Sequence, residues 1–101
     1  MATNKLRAIH PGEILREEFL VPLALTPHKL AMSLHVPATR INDVVREKRG
    51  ITTDTAIRLA RFFGTSEEFW LGLQNSYDLK MADEQRVGQK IAREVSPLMA
   101  V

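Results

Sequence analysis

The stretch Thr26-Pro27-His28-Lys29-Leu30-Ala31-Met32-Ser33-Leu34-His35-Val36-Pro37-Ala38-Thr39-Arg40-Ile41-Asn42-Asp43-Val44-Val45-Arg46 decides the fold. Thr26 offers a side-chain oxygen to the start of a helix, Pro27 suits its first turn, and Leu30, Ala31 and Leu34 fall on one face. After the short connection His35-Val36-Pro37, Ile41, Val44 and Val45 recur at i, i+3 and i+4, which predicts an amphipathic helix ending near Arg46 to Lys48 with Gly50 as its stop. Two short helices crossing over a tight turn need a small residue at the crossing, an apolar plug in the turn and anchors one turn apart in the second helix. Ala31, Val36, and Ile41 with Val44 supply them. The turn position that takes a positive φ, usually glycine, falls on His35, which tolerates it better than a β-branched residue would. This is a helix-turn-helix layout.

Outward from that stretch the pattern remains helical, with no strands, repeats or linker. A helix begins at His10-Pro11-Gly12-Glu13, where Pro11 suits the first position and His10 a cap. It places Leu15, Phe19 and Leu23 at helical spacing, with Pro22 expected to bend or end it. Thr52 is the expected cap of a helix lined by Ala56, Leu59, Ala60 and Phe63, closed by Gly64. Thr65-Ser66-Glu67-Glu68 has the form of a capping box opened by Thr65, followed by Phe69, Trp70, Leu73 and Tyr77. From Asp83 a last helix carries Val87, Ile91 and Val95 at i, i+4 and i+8 before Pro97, and its stability by itself is doubtful.

The 101 residues, 45% hydrophobic and 26% charged, fit one folded domain rather than a disordered chain or a large enzyme. No apolar run approaches the ~18 residues that span a bilayer, and no secretory leader is evident, so a soluble protein made in the cytoplasm is expected. With no cysteine, disulfides, thiolate zinc sites and cysteine catalysis are all excluded. His10, His28 and His35 lack zinc-site spacing, Glu17-Glu18 and Glu67-Glu68 diverge by about 100° on a helix, and no serine sits in a recognisable catalytic motif. Neither a catalytic residue, a metal site nor a cofactor is therefore expected.

The net charge is only +2, but it is polarised. Residues 21–65 carry seven Lys and Arg against three Asp and Glu, whereas residues 66–85 carry five acids against Lys80. A basic centre beside an acidic segment suggests two surfaces with two partners. Opposite the apolar face of the second helix of the pair stand Thr39, Asp43 and Arg46, flanked by Arg40, Asn42 and Glu47. In a DNA major groove Arg40 can donate two hydrogen bonds to a guanine edge and Thr39 can meet a thymine methyl or a phosphate. Asp43 can accept from a cytosine amino group, or orient Arg40. Lys29, Arg46, Lys48 and Arg49, at the helix ends and flanks, suit phosphates.

Three stretches carry a resemblance. They are His10-Pro11-Gly12-Glu13, the segment from Ile51-Thr52 through Ala56, Leu59 and Ala60, and Glu68-Phe69-Trp70-Leu71-x-Leu73-Gln74 followed by Tyr77-Asp78-Leu79. In these the chain resembles the HigA-type antitoxins, a branch of the XRE (Cro/C1-type) helix-turn-helix regulators of bacterial toxin–antitoxin modules. The resemblance implies an all-α, five-helix lambda-repressor-like domain over residues 8–82, with an additional helix in a C-terminal extension, residues 83–101. It implies a homodimer that binds double-stranded operator DNA upstream of its own operon and neutralises a RelE/HigB-like toxin that cleaves mRNA. Arg40 and Asp43, with Thr39 adjacent, fall where members place groove-facing side chains, although many carry a basic or small polar residue in place of Asp43. The region of Trp70, Leu73, Tyr77 and Leu79 resembles the part that closes the core and supports the dimer. A solitary XRE regulator without a toxin, and a pure protein-interaction module, are the competing readings.

Overall fold

The computed structural model describes residues 7–99, which hold six helices and no strand. Helix α1 runs as one α turn, Pro11–Ile14, a π-helical stretch, Leu15–Leu20, and a last turn, Val21–Leu23. In the π stretch the Val21 N–H reaches back five residues to the Arg16 carbonyl. That wider spacing puts Leu15 and Leu20, five apart, together in the core, while Leu23, expected on the same face, is exposed. Pro22 does not break the helix at once. It sits in the final turn, which closes at Ala24 in the left-handed conformation (φ 51°), with the Leu25 N–H donating to the Leu20 carbonyl at 2.9 Å.

Helix α2, Pro27–Leu34, starts where expected: Thr26 Oγ1 accepts from the Lys29 N–H at 3.1 Å. His35 takes the left-handed turn (φ 59°, ψ 46°), and α3, Ala38–Val45, follows. The stop after α3 differs from the expectation. Its left-handed residue is Glu47 (φ 65°), not Gly50. Gly50 is small for another reason: a Cβ there would lie 2.7 Å from Gln74 Oε1, which accepts the Ile51 N–H at 2.7 Å.

Helix α4, Thr53–Phe63, is capped by Thr52 and closed by Gly64 in the left-handed conformation (φ 75°). Helix α5, Glu67–Glu84, takes Ser66 as its N-cap, with Oγ accepting from the Phe69 N–H at 3.1 Å. Thr65, expected in that role, instead accepts from Trp70 Nε1 at 2.7 Å. The buried indole needs a partner more than the helix needs a second capping oxygen. After Arg86, also left-handed, α6 spans Val87–Glu94.

The five helices α1 to α5 close on one core of Leu15, Leu20, Leu30, Ala31, Leu34, Ile41, Val44, Ile51, Ala56, Leu59, Ala60 and Trp70. Each fully buried aliphatic side chain contributes about 1.5–3 kcal/mol relative to exposure. Trp70 packs on Phe19 (ring centroids 4.9 Å), which also meets Phe63 (4.8 Å). Helix α6 stands apart from this core: Ile91 is 49% and Val95 62% exposed. The radius of gyration, 16.7 Å, accordingly exceeds the ~13 Å of a compact chain of this length, and the long dimension is 54 Å.

Candidate nucleic-acid interface

Helix α3 is held from three sides. Its inner face, Ile41 and Val44, is wholly buried. Its end abuts the start of α1 so closely that a Cβ on Gly12 would sit 1.8 Å from the Val44 carbonyl oxygen. Gly12 in turn donates its N–H to His10 Nδ1 at 2.9 Å, and the His10 ring stands edge-on to Tyr77 (4.8 Å). Burial pushes the His10 pKa below its ordinary value, with Glu47 and Asp78 opposing that shift. Arg16 Nη1 donates to the Val45 carbonyl at 2.6 Å, placing a cation on the negative end of α3. The His-Pro-Gly-Glu stretch thus sets the position of α3 as well as starting α1.

On the outer side, Thr39, Arg46, Lys48 and Arg49 are exposed, as is Lys29 in the first turn of α2, while Arg40 and Asp43 are half-buried. Arg40 Nη1 donates to Asp54 Oδ2 on α4. The same oxygen accepts from Arg58 Nε at 2.9 Å, and Arg58 Nη1 donates to the Leu34 carbonyl at 2.8 Å. Hydrogen bonds from Arg58, then Arg40, hold the Asp54 carboxyl below its ordinary pKa. Asp43 pairs with Arg49 at 3.4 Å, so it does not orient Arg40; Asp54 does. Arg40 and Arg49 meet, with Thr52, Asp54 and Thr55, around a recess of about 170 Å³. The sequence reading missed Asp54 and Arg58. Their i, i+4 spacing on the outer face of α4 was the available signal.

The residues expected at a dimer contact separate. Trp70 is 0% exposed and serves the protomer's own core, which corrects its place among direct contacts. Leu73 and Tyr77 line an apolar groove of about 300 Å³ with Ile9 and Ile14, and Leu79 stands 64% exposed further along α5. Gln74 and Asp78, beside them, are joined at 2.9 Å while Gln74 holds the Ile51 N–H, so the motif they belong to ties α5 to the segment after α3.

A helix-turn-helix family profile matches residues 15–70. Virulence-associated protein I of Dichelobacter nodosus is 58% identical over 83 residues, 82% of this chain and 77% of that protein. Antitoxin HigA-1 of Vibrio cholerae is 34% identical over 98 residues, 97% of this chain and 90% of that one. The Pseudomonas aeruginosa antitoxin HigA, solved with the higBA promoter, superposes with a TM-score of 0.84 at 50% identity, covering 92% of this chain and 100% of its own. The chain belongs to the XRE-type helix-turn-helix family, in its HigA-like branch. Members of this family are DNA-binding regulators and antitoxins rather than enzymes. The all-helical fold of this chain matches that of the HigA structure on which it superposes. Among the described residues no helix is long and apolar enough to cross a membrane.

Proposed function

We propose that this protein is a sequence-specific DNA-binding antitoxin that represses its own operon and neutralises a RelE/HigB-like mRNA-cleaving toxin. The observation that carries the DNA reading is α3 itself: Ile41 and Val44 are fully buried while Thr39 is exposed, Arg40 and Asp43 are half-buried, and Arg46, Lys48 and Arg49 are exposed around them. An exposed polar helix so firmly anchored from behind is what base reading requires. Thr39, Arg40 and Asp43 read base edges; Lys29, Arg46, Lys48 and Arg49 contact phosphates. That a relative of 50% identity is an antitoxin solved with its operon's promoter supports the same reading.

One recognition helix reads only a few base pairs, so the protein works as a two-fold dimer with its α3 helices about 34 Å apart. Leu73, Tyr77 and Leu79 on α5 supply contacts. The toxin binds elsewhere, on a surface that includes the acids of α5: Glu67, Glu68, Asp78, Asp83 and Glu84 are all exposed. Such a surface complements a basic, RNA-directed partner. Residues 8–82 form the DNA-binding domain, and residues 83–101 are an extension that begins within the last turn of α5.

Footprinting on the DNA upstream of its own operon tests the proposal. Protection of an inverted repeat with half-sites one helical turn apart is expected, and growth rescue on co-expression with the adjacent small open reading frame should accompany it. Operator protection with no toxin gene beside it would favour a solitary regulator. Absence of any protected site at physiological salt would remove the DNA reading.

A further inference from the structure

We infer that Asp54, outside the recognition helix, is a positioning residue that sets operator specificity by acting through Arg40. The inference rests on the reading of Arg40 as a base-contacting residue. Its basis is a continuous chain of hydrogen bonds. The carbonyl of Leu34, at the end of α2, accepts from Arg58 Nη1 at 2.8 Å; Arg58 Nε donates to Asp54 Oδ2 at 2.9 Å; and Asp54 Oδ2 accepts from Arg40 Nη1 on α3. Arg58 therefore fixes the carboxylate against a backbone atom, and the carboxylate fixes the guanidinium. The side chains of Arg40 and Asp54 are 29% and 54% exposed, so the pair stands at the surface, open to a partner.

Two consequences follow from the chemistry. A guanidinium has five N–H donors, and Asp54 occupies one, leaving the others for the O6 and N7 of a guanine. A long side chain already held in place loses less freedom when it engages that edge. The carboxylate, shared with Arg58, also offsets part of the positive charge of Arg40 and repels phosphate oxygens, so on a wrong sequence Arg40 gains less from the backbone than an unpaired arginine would. Specificity arises from both effects: the right base is met by an ordered donor, and the DNA backbone is met by a partly compensated charge.

The test is a double-mutant cycle of Asp54→Asn and Arg40→Ala. Affinities are measured for the footprinted operator and for a scrambled duplex of equal length, across a salt series, with circular dichroism to establish folding. Asp54→Asn should tighten scrambled-DNA binding and steepen its log–log salt slope by about one, as a freed Arg40 reaches a phosphate. The operator-to-scrambled ratio should fall about tenfold, the order that one base contact contributes. In the Arg40→Ala background the Asp54→Asn change should no longer move the ratio. Equal tightening on both duplexes, with the ratio unchanged, would mean simple charge removal and would overturn the inference. So would a fall in the ratio that persists without Arg40. If Arg40→Ala lowers the ratio and Asp54→Asn does not, the role of Asp54 alone is refuted; if Arg40→Ala leaves it intact, the base-reading assignment fails and the role of Asp54 with it.

Discussion

Two residues at the start of α1 show how single positions govern the placement of α3. Gly12 is required by proximity, since any Cβ would overlap the Val44 carbonyl oxygen. Gly12→Ala should cost about 3 kcal/mol, the upper end of what overpacking usually costs, read as a lowered urea midpoint at unchanged slope. His10 accepts the Gly12 N–H at Nδ1 and so must be neutral at that nitrogen. Burial lowers its pKa in the folded state, so the unfolded chain, titrating near the usual ~6.5, binds the proton more readily. Stability is then fully present above about pH 6.5 and is lost as the pH falls toward the lowered folded-state value. Thermal melts between pH 7.5 and 5 should record the decline. His10→Asn, which keeps an acceptor but cannot titrate, should flatten it over that window. The sequence made His10 legible as a cap because its place before Pro11 is a local signal. The need for Gly12 was not legible, because it arises from a residue 32 positions away.

At the scale of elements, α2 to α4 were readable because cap, turn and apolar spacing agree locally: Thr26, His35, Thr52 and Gly64 all occupy the roles their chemistry suits. The misreadings came from geometry or from partners that local pattern does not encode. The π-helical stretch of α1 shifts the buried face from Leu23 to Leu20, and the Trp70 indole draws Thr65 away from capping. Helix α5 has two faces with separable roles. Trp70→Ala empties a fully buried site and removes the bond to Thr65, so it should cost about 3–5 kcal/mol, a large part of a small domain's stability. Leu79→Glu alters an exposed position and should leave the fold intact while shifting sedimentation from dimer to monomer. A Leu79→Glu protein that stays dimeric would place the contact elsewhere.

Over the whole molecule the proposed DNA and toxin surfaces are different, α3 for the first and the acidic side of α5 for the second. Thr39, Arg40 and Asp43 leave the buried Ile41 and Val44 untouched, so replacing all three by Ala should preserve folding. Expressed with the toxin from a promoter it cannot repress, that variant should still restore growth; failure to rescue at normal abundance would put both partners on the recognition helix. The candidate site was legible as a set of outward polar residues on α3, while the Asp54–Arg58 support was not, because it joins three helices that only the fold brings together. Whether α3 reads the operator is decided by the operator-to-scrambled affinity ratio of the Thr39→Ala, Arg40→Ala, Asp43→Ala protein at fixed salt. The ratio should collapse toward one while weak, salt-sensitive binding through Lys29, Arg46, Lys48 and Arg49 persists; a folded triple variant that keeps its preference for the operator would show that α3 does not read it.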